Sequence, residues 1–138
     1  MALSGDYTAF QTQFRSKTTD LTVLAATDDT TLITAHTANH TIYIQKISVS
    51  ITTYSAKTWL FKDSATTPVE IAFCSIPAAA VALKSESGTM DWDFGPTGTP
   101  LTMGKNFLLD VSATGAAGRI HVEAYEKLGT TVTVGPTN

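Results

Sequence analysis

The chain has one cysteine, two arginines and no long apolar run, and each shortage removes a class of function. Cys74 has no second thiol to pair with, so the fold is held by its core or by partner chains rather than by internal disulfides. Arg15 and Arg119, with a formal net charge of −3, do not make the basic surface that phosphate recognition needs, and nucleic acid is not an expected partner. No stretch approaches the roughly 18 to 20 apolar residues of a membrane span. The N-terminus also lacks a basic segment followed by an apolar one, so neither membrane insertion nor secretion by that route is expected. Charged residues make up 15% of the chain, against roughly 25% in an ordinary soluble domain.

Hydroxyls take the place of the missing charges, with 25 threonines in 138 residues. Threonine is β-branched, stiff at χ1 and suited to a pleated, half-buried surface. Short β-rich runs broken by turn residues begin at Leu21. Thr41 to Tyr54 is the strongest: Ile42 and Ile44 share one parity, and Ile47, Val49 and Ile51 share the other. A strand has period two, so the switch near Gln45-Lys46 predicts a bulge or bend, one that would let a long strand serve two sheets. Lys57 to Lys62 and Val69 to Cys74 read as a hairpin around Asp63 to Pro68, with Cys74 a packed thiol. Ile76 to Leu83 is ambiguous, its alanines favouring a helix while Pro77 could start either element, and reads as a loop leading into a short strand or a turn of helix. In Thr89 to Phe94, Met90, Trp92 and Phe94 point inward and Asp91 and Asp93 outward. Asn106 to Thr114 and Gly118 to Leu128 close the domain, and the glycines of Gly115 to Gly118 are expected to supply positive φ for a hairpin turn. In the last strand Ile120, Val122 and Ala124 face one way, and His121, Glu123 and Tyr125 the other.

About eight strands at roughly 8 to 12-residue intervals predict an all-β antiparallel sandwich of jelly-roll type. The boundaries are an N-terminal arm over 1–20, the sandwich over 21–128 and a C-terminal tail over 129–138. In the arm, Tyr7, Phe10 and Phe14 fit either a short amphipathic helix or an extended segment docking on a neighbour. The tail alternates again at Thr131 to Val134, a pattern able to extend a neighbour's sheet edge.

No motif points to catalysis, and the chain is not expected to be an enzyme. His36 and His40 lie between strands, where they would share a metal only across a tight turn at Ala38-Asn39; hydrogen-bonding turn residues are the better account, and no metal or cofactor is expected. His121 belongs on a sheet surface or an inter-subunit seam. Asp91 and Asp93 share an outward face about 6.5 to 7 Å apart, which fits a solvated or interface face better than a catalytic pair. Gly98 to Lys105 misses the P-loop spacing and is a turn. Trp59, Phe61, Phe73, Trp92, Phe94 and Phe107 alternate as core residues rather than forming a sugar platform.

Thr34-Ala35 through Ile51, Trp59-Leu60-Phe61-Lys62-Asp63, Gly104 to Val111 and Arg119 to Tyr125 resemble segments of small jelly-roll structural proteins of tailed bacteriophages. The resemblance covers roughly residues 30 to 128. It implies a virion component assembled in the host cytoplasm: a head decoration, or cement, protein on the capsid surface, held by the major capsid protein and by its own copies as a homotrimer. On that reading Leu3, Tyr7, Phe10 and Phe14 anchor the arm to the capsid, and His121, Glu123 and Tyr125 on the edge near Ile120 to Tyr125 help form the oligomer. The alternative is a tail or fibre receptor-binding or carbohydrate-binding jelly roll, which needs exposed aromatics such as Tyr43, Tyr54 or Trp92 around a shallow groove. A cupin-like enzyme would instead require His36, His40 and His121 to converge on a metal.

Overall fold

The computed structural model describes residues 12–21, 29–53, 55–76, 89–112 and 117–129. Ten strands run through them: β1 (Thr12–Phe14), β2 (Lys17–Leu21), β3 (Thr30–Ile33), β4 (His40–Thr53), β5 (Lys57–Asp63), β6 (Glu70–Ile76), β7 (Thr89–Asp93), β8 (Thr99–Pro100), β9 (Phe107–Val111) and β10 (Ala117–Leu128). No described residue is helical. The ambiguous segment beyond Ile76 lies outside the described residues, as do Leu3, Tyr7, Phe10, Tyr54 and the tail beyond Gly129.

All pairings are antiparallel. One sheet orders its strands β1-β10-β4-β7, with β2 also on β10 and β8 also on β4; the other orders them β3-β9-β5-β6. β1 and β2 are two stretches along one side of β10, and β8 is two residues long, so eight principal strands remain. Numbered in chain order, they form sheets 1-8-3-6 and 2-7-4-5, which is the jelly-roll order expected from the strand spacing. The segment read as an arm is, over its described part, extended along β10 and part of the larger sheet.

The core fills the space between the sheets. Ile42, Ile44, Ile47, Val49, Ile51, Ile120, Val122 and Ala124 come from one sheet and Trp59, Phe61, Cys74, Ile76, Phe107, Leu109 and Val111 from the other. Phe61 lies at its centre, 5.7 Å between ring centroids from Trp92 and 6.1 Å from Phe107. Burying side chains of this size contributes about 1.5 to 3 kcal/mol each.

The parity switch in β4 is a bulge. Ile44 pairs with Ala124 and Lys46 with Glu123, leaving Gln45 as the extra residue and returning Ile47, Val49 and Ile51 to the inside. The bend does not move β4 into a second sheet as expected, because its ladder with β10 continues on both sides of the bulge. It divides the neighbours on the other side, β8 on Tyr43 and Ile44 and β7 on Lys46 to Ser50.

Two expectations are corrected. Phe73 is not a core residue: a bulge places Ala72 opposite Phe61 and Glu70 opposite Lys62, so Cys74 and Ile76 point inward and Phe73 is 58% exposed. Gly118 does not supply a positive φ. It sits in β10 where a Cβ would lie 2.5 Å from the Ser50 carbonyl oxygen, so the absence of a side chain lets β10 and β4 approach.

Candidate functional site

The outward-facing residues of β10 and its neighbours form the surface on which the expected oligomer residues stand. Tyr125 pairs with Tyr43, Glu123 with Lys46 and His121 with Ser48; on the far side of β4, Lys46 pairs with Asp93 and Ser48 with Asp91. Lys46 thus stands in register between two acidic residues, the arrangement cross-strand pairing favours. Gln45, Lys46, Asp93, Gly95, Pro96 and Glu123 line a shallow pocket of about 400 Å³. Asp93 closes one wall by accepting a hydrogen bond from the Gly95 amide at 2.8 Å.

His121 shares a hydrogen bond of 2.7 Å between its Nδ1 and Thr18 Oγ1, and its Nε2 lies 3.6 Å from Glu123 Oε2. The first fixes the ring; the second is longer than a hydrogen bond. Both side chains remain open to solvent. Tyr125 is committed within the chain. Its ring stacks on Tyr43 with centroids 4.8 Å apart, and its hydroxyl donates to the Thr97 carbonyl. Burial, and secondarily the neighbouring Tyr43, raises its pKa. Lys127 Nζ lies 5.8 Å from the Tyr43 ring centroid. Phe14, opposite Tyr125 on β1, is 76% exposed and is the largest unburied apolar group at this end of the sheet among the described residues.

The aromatic groove required by a carbohydrate-binding reading is not formed by the described residues expected to form it. Tyr43 is buried under its stack and Trp92 is half-buried against Phe61. The histidines do not converge either. His36 and His40 do meet across the tight turn at Ala38-Asn39, with edge-on rings 5.0 Å apart, but His121 pairs with Ser48, far along β4 from His40. His40 is buried, and its Nδ1 shares a 2.7 Å hydrogen bond with Thr37 Oγ1. Among the described residues no group of three or more His, Cys, Asp or Glu side chains is placed to hold a metal. Cys74 is buried, which pushes its thiol up to about 11 and leaves it unreactive at neutral pH.

Four polar residues not singled out from the sequence organise the end of the sandwich beside this face. Glu126 is fully buried; it accepts from the Arg15 guanidinium and, at 2.7 Å, from the His36 amide. Arg15 also donates to the Thr34 carbonyl at 2.8 Å. Asn106 accepts from the Ala35 amide at 2.9 Å and exchanges hydrogen bonds with Ser64. Asp63, also fully buried, accepts from the amides of Ala65, Val69 and Thr102. Burial pushes the Asp63 pKa up, but the combined hydrogen bonds from Thr102, Ala65 and Val69 outweigh it and hold the carboxyl below its ordinary value. The signal for Glu126 is in the pattern: it continues the inward parity of Ile120, Val122 and Ala124, and a carboxylate at an inward position needs a partner.

No protein-family model matches the chain, and no curated protein matches it. Among solved structures it is similar to a chain of the extra small virus of the giant freshwater prawn Macrobrachium rosenbergii, seen by cryo-electron microscopy as a virus-like particle. The two are 8% identical, with a TM-score of 0.42 over 86% of this chain and 81% of that one.

Proposed function

We propose that this chain is a non-enzymatic structural protein of a virion, a decoration or cement protein that binds the outer surface of a capsid as a homotrimer and stabilises the head. The observation that carries the reading is Phe14. A phenylalanine 76% exposed on β1, at the sheet border and inside the segment whose resemblance-based role is anchoring, is an apolar group with no cover among the described residues of its own chain. The arrangement of strands supports it. Among the described residues β3, β6 and β7 each pair on one side only, and open edges are places where neighbouring chains attach or must be kept away. Binding across adjacent capsid subunits would accrue only on an assembled lattice, which suits a protein that reinforces a completed shell. Major capsid protein is the expected partner.

The test is the solution mass of the purified chain by light scattering, followed by mixing with capsid shells that lack it. The expected result is an oligomer that saturates the shells at a fixed stoichiometry and loses that binding with Phe14→Ser. A protein that does not associate with the shells overturns the reading.

A further inference from the structure

The border of the larger sheet is closed by a segment whose described side chains, from Thr12 to Thr19, lie outside the hydrophobic core. β1 and β2 lie along β10, with Thr12 opposite Lys127, Gln13 opposite Glu126, Lys17 opposite Val122 and Thr19 opposite Ile120. Side chains directly opposite one another share a face, so Gln13, Lys17 and Thr19 occupy positions that face the other sheet, as does Leu21 opposite Gly118 at the segment's end. Gln13, Lys17 and Thr19 are polar, and no residue from Thr12 to Thr19 belongs to the hydrophobic core. Gln13, Phe14, Arg15, Ser16, Lys17, Ile33 and Thr34 line a cavity of about 290 Å³ between this segment and β3.

What holds the segment is its ladder with β10, the hydrogen bond between Thr18 Oγ1 and His121 Nδ1, the Arg15 amide on the Ala124 carbonyl at 2.8 Å, and the Arg15 guanidinium on Glu126 and the Thr34 carbonyl. Every one of these bonds ends on β10 or on the loop after β3. The same segment of another copy would make them all unchanged. The attachment is also selective: Glu126 is fully buried, and a strand without an arginine at this register would leave its charge with the His36 amide alone.

We propose that residues 12–21 are exchanged between copies, the segment of one chain completing β10 of the next and placing its Arg15 on Glu126 of that copy. Exchange of an identical element forms an oligomer without new contacts. Over Thr12 to Thr19 it holds the segment by bonds that need no core residue to move. This deepens the homo-oligomer part of the proposed function and rests on that part alone, not on capsid binding.

Thr12 and Lys127 are directly opposite across the ladder, where Cα atoms about 4.5 to 5.5 Å apart suit a disulfide. Two full-length single variants, Thr12→Cys and Lys127→Cys, are unfolded together, refolded at high concentration and oxidised. Cys74, buried with its thiol raised to about 11, stays silent. The expected product is a covalent dimer joining one chain of each kind, with its yield rising with protein concentration and falling several-fold when Arg15→Gln is added to the Thr12→Cys chain. A mixture yielding no such dimer, while the double variant in one chain closes its disulfide internally, overturns the proposal. Shell binding is read separately: an oligomer whose disulfides stay within single chains overturns exchange and leaves the virion reading standing, and a crosslinked dimer indifferent to shells does the reverse.

Discussion

Asp63 and Glu126 are fully buried carboxylates at one end of the sandwich, joined through Ser64, Asn106, Ala35 and His36, yet they are satisfied by different kinds of partner. Asp63 is held by three backbone amides, from its own turn and from Thr102, all in segments packed on the core. Glu126 takes one amide, from His36, and otherwise depends on an arginine carried by a segment outside the core. The same burial cost is therefore met by a rigid device in one place and by a detachable one in the other. Carboxylates on the outer face, Asp91, Asp93 and Glu123, have water as an alternative and carry no such obligation.

The comparison is broken most severely at Asp63. Asp63→Ala strands three amides at once, and a loss of about 4 kcal/mol is expected in denaturant unfolding, since unpaired buried donors cost about 1 to 3 kcal/mol each and relax only in part. The group also sets an acid limb. Its folded pKa lies below the ordinary 3.8, so its contribution is full above that value and is lost as pH falls through the folded pKa. Asp63→Asn is expected to flatten the stability-versus-pH curve below pH 3.8; an unchanged acid limb would show that another group governs it.

Arg15→Ala is expected to cost about 3 kcal/mol, the low end for orphaning a buried charge because the arginine side chain is itself 25% exposed. Its signature should be local. Amide exchange should accelerate in 12–21 before β4 or β10 respond, and the double variant Arg15→Gln with Glu126→Gln should recover much of the loss. Equal acceleration throughout the sandwich would mean that the segment is as integral as the loops around Asp63.

Much of this architecture is legible because period two survives in it. The inward sets of β4 and β10, the Gln45 bulge and the β5–β6 hairpin follow from alternation that burial enforces. Phe73 is misread from the sequence because Val69, Ile71 and Phe73 alternate straight through the bulge at Ile71, which shows only in the register of β6 with β5. Gly118 is misread for a related reason, its constraint being the Ser50 carbonyl on a distant strand. Among the site residues, the outward placement of His121 and Glu123 is readable from parity, whereas the commitment of Tyr125 to Tyr43 and Thr97 requires knowing which strands adjoin. Glu126 sits at a readable inward position, but its partner Arg15 is 111 residues away in sequence.

The smallest expected effect separates burial from satisfaction most cleanly. Thr41 is buried, and its hydroxyl has no hydrogen-bond partner among the described residues, whereas the Thr37 hydroxyl holds both His40 Nδ1 and the Asn39 amide. Thr→Val keeps the branched shape and removes only the hydroxyl. At position 41 it removes a desolvated group with nothing to lose, and a gain of about 1 kcal/mol is expected; at position 37 it breaks two bonds in the turn, and a loss of about 1 kcal/mol is expected. Opposite signs in thermal unfolding would place the stabilising role of polar groups at this end in their partners rather than in their depth. Losses of the same size at both positions would mean that Thr41 has a partner the described residues do not provide.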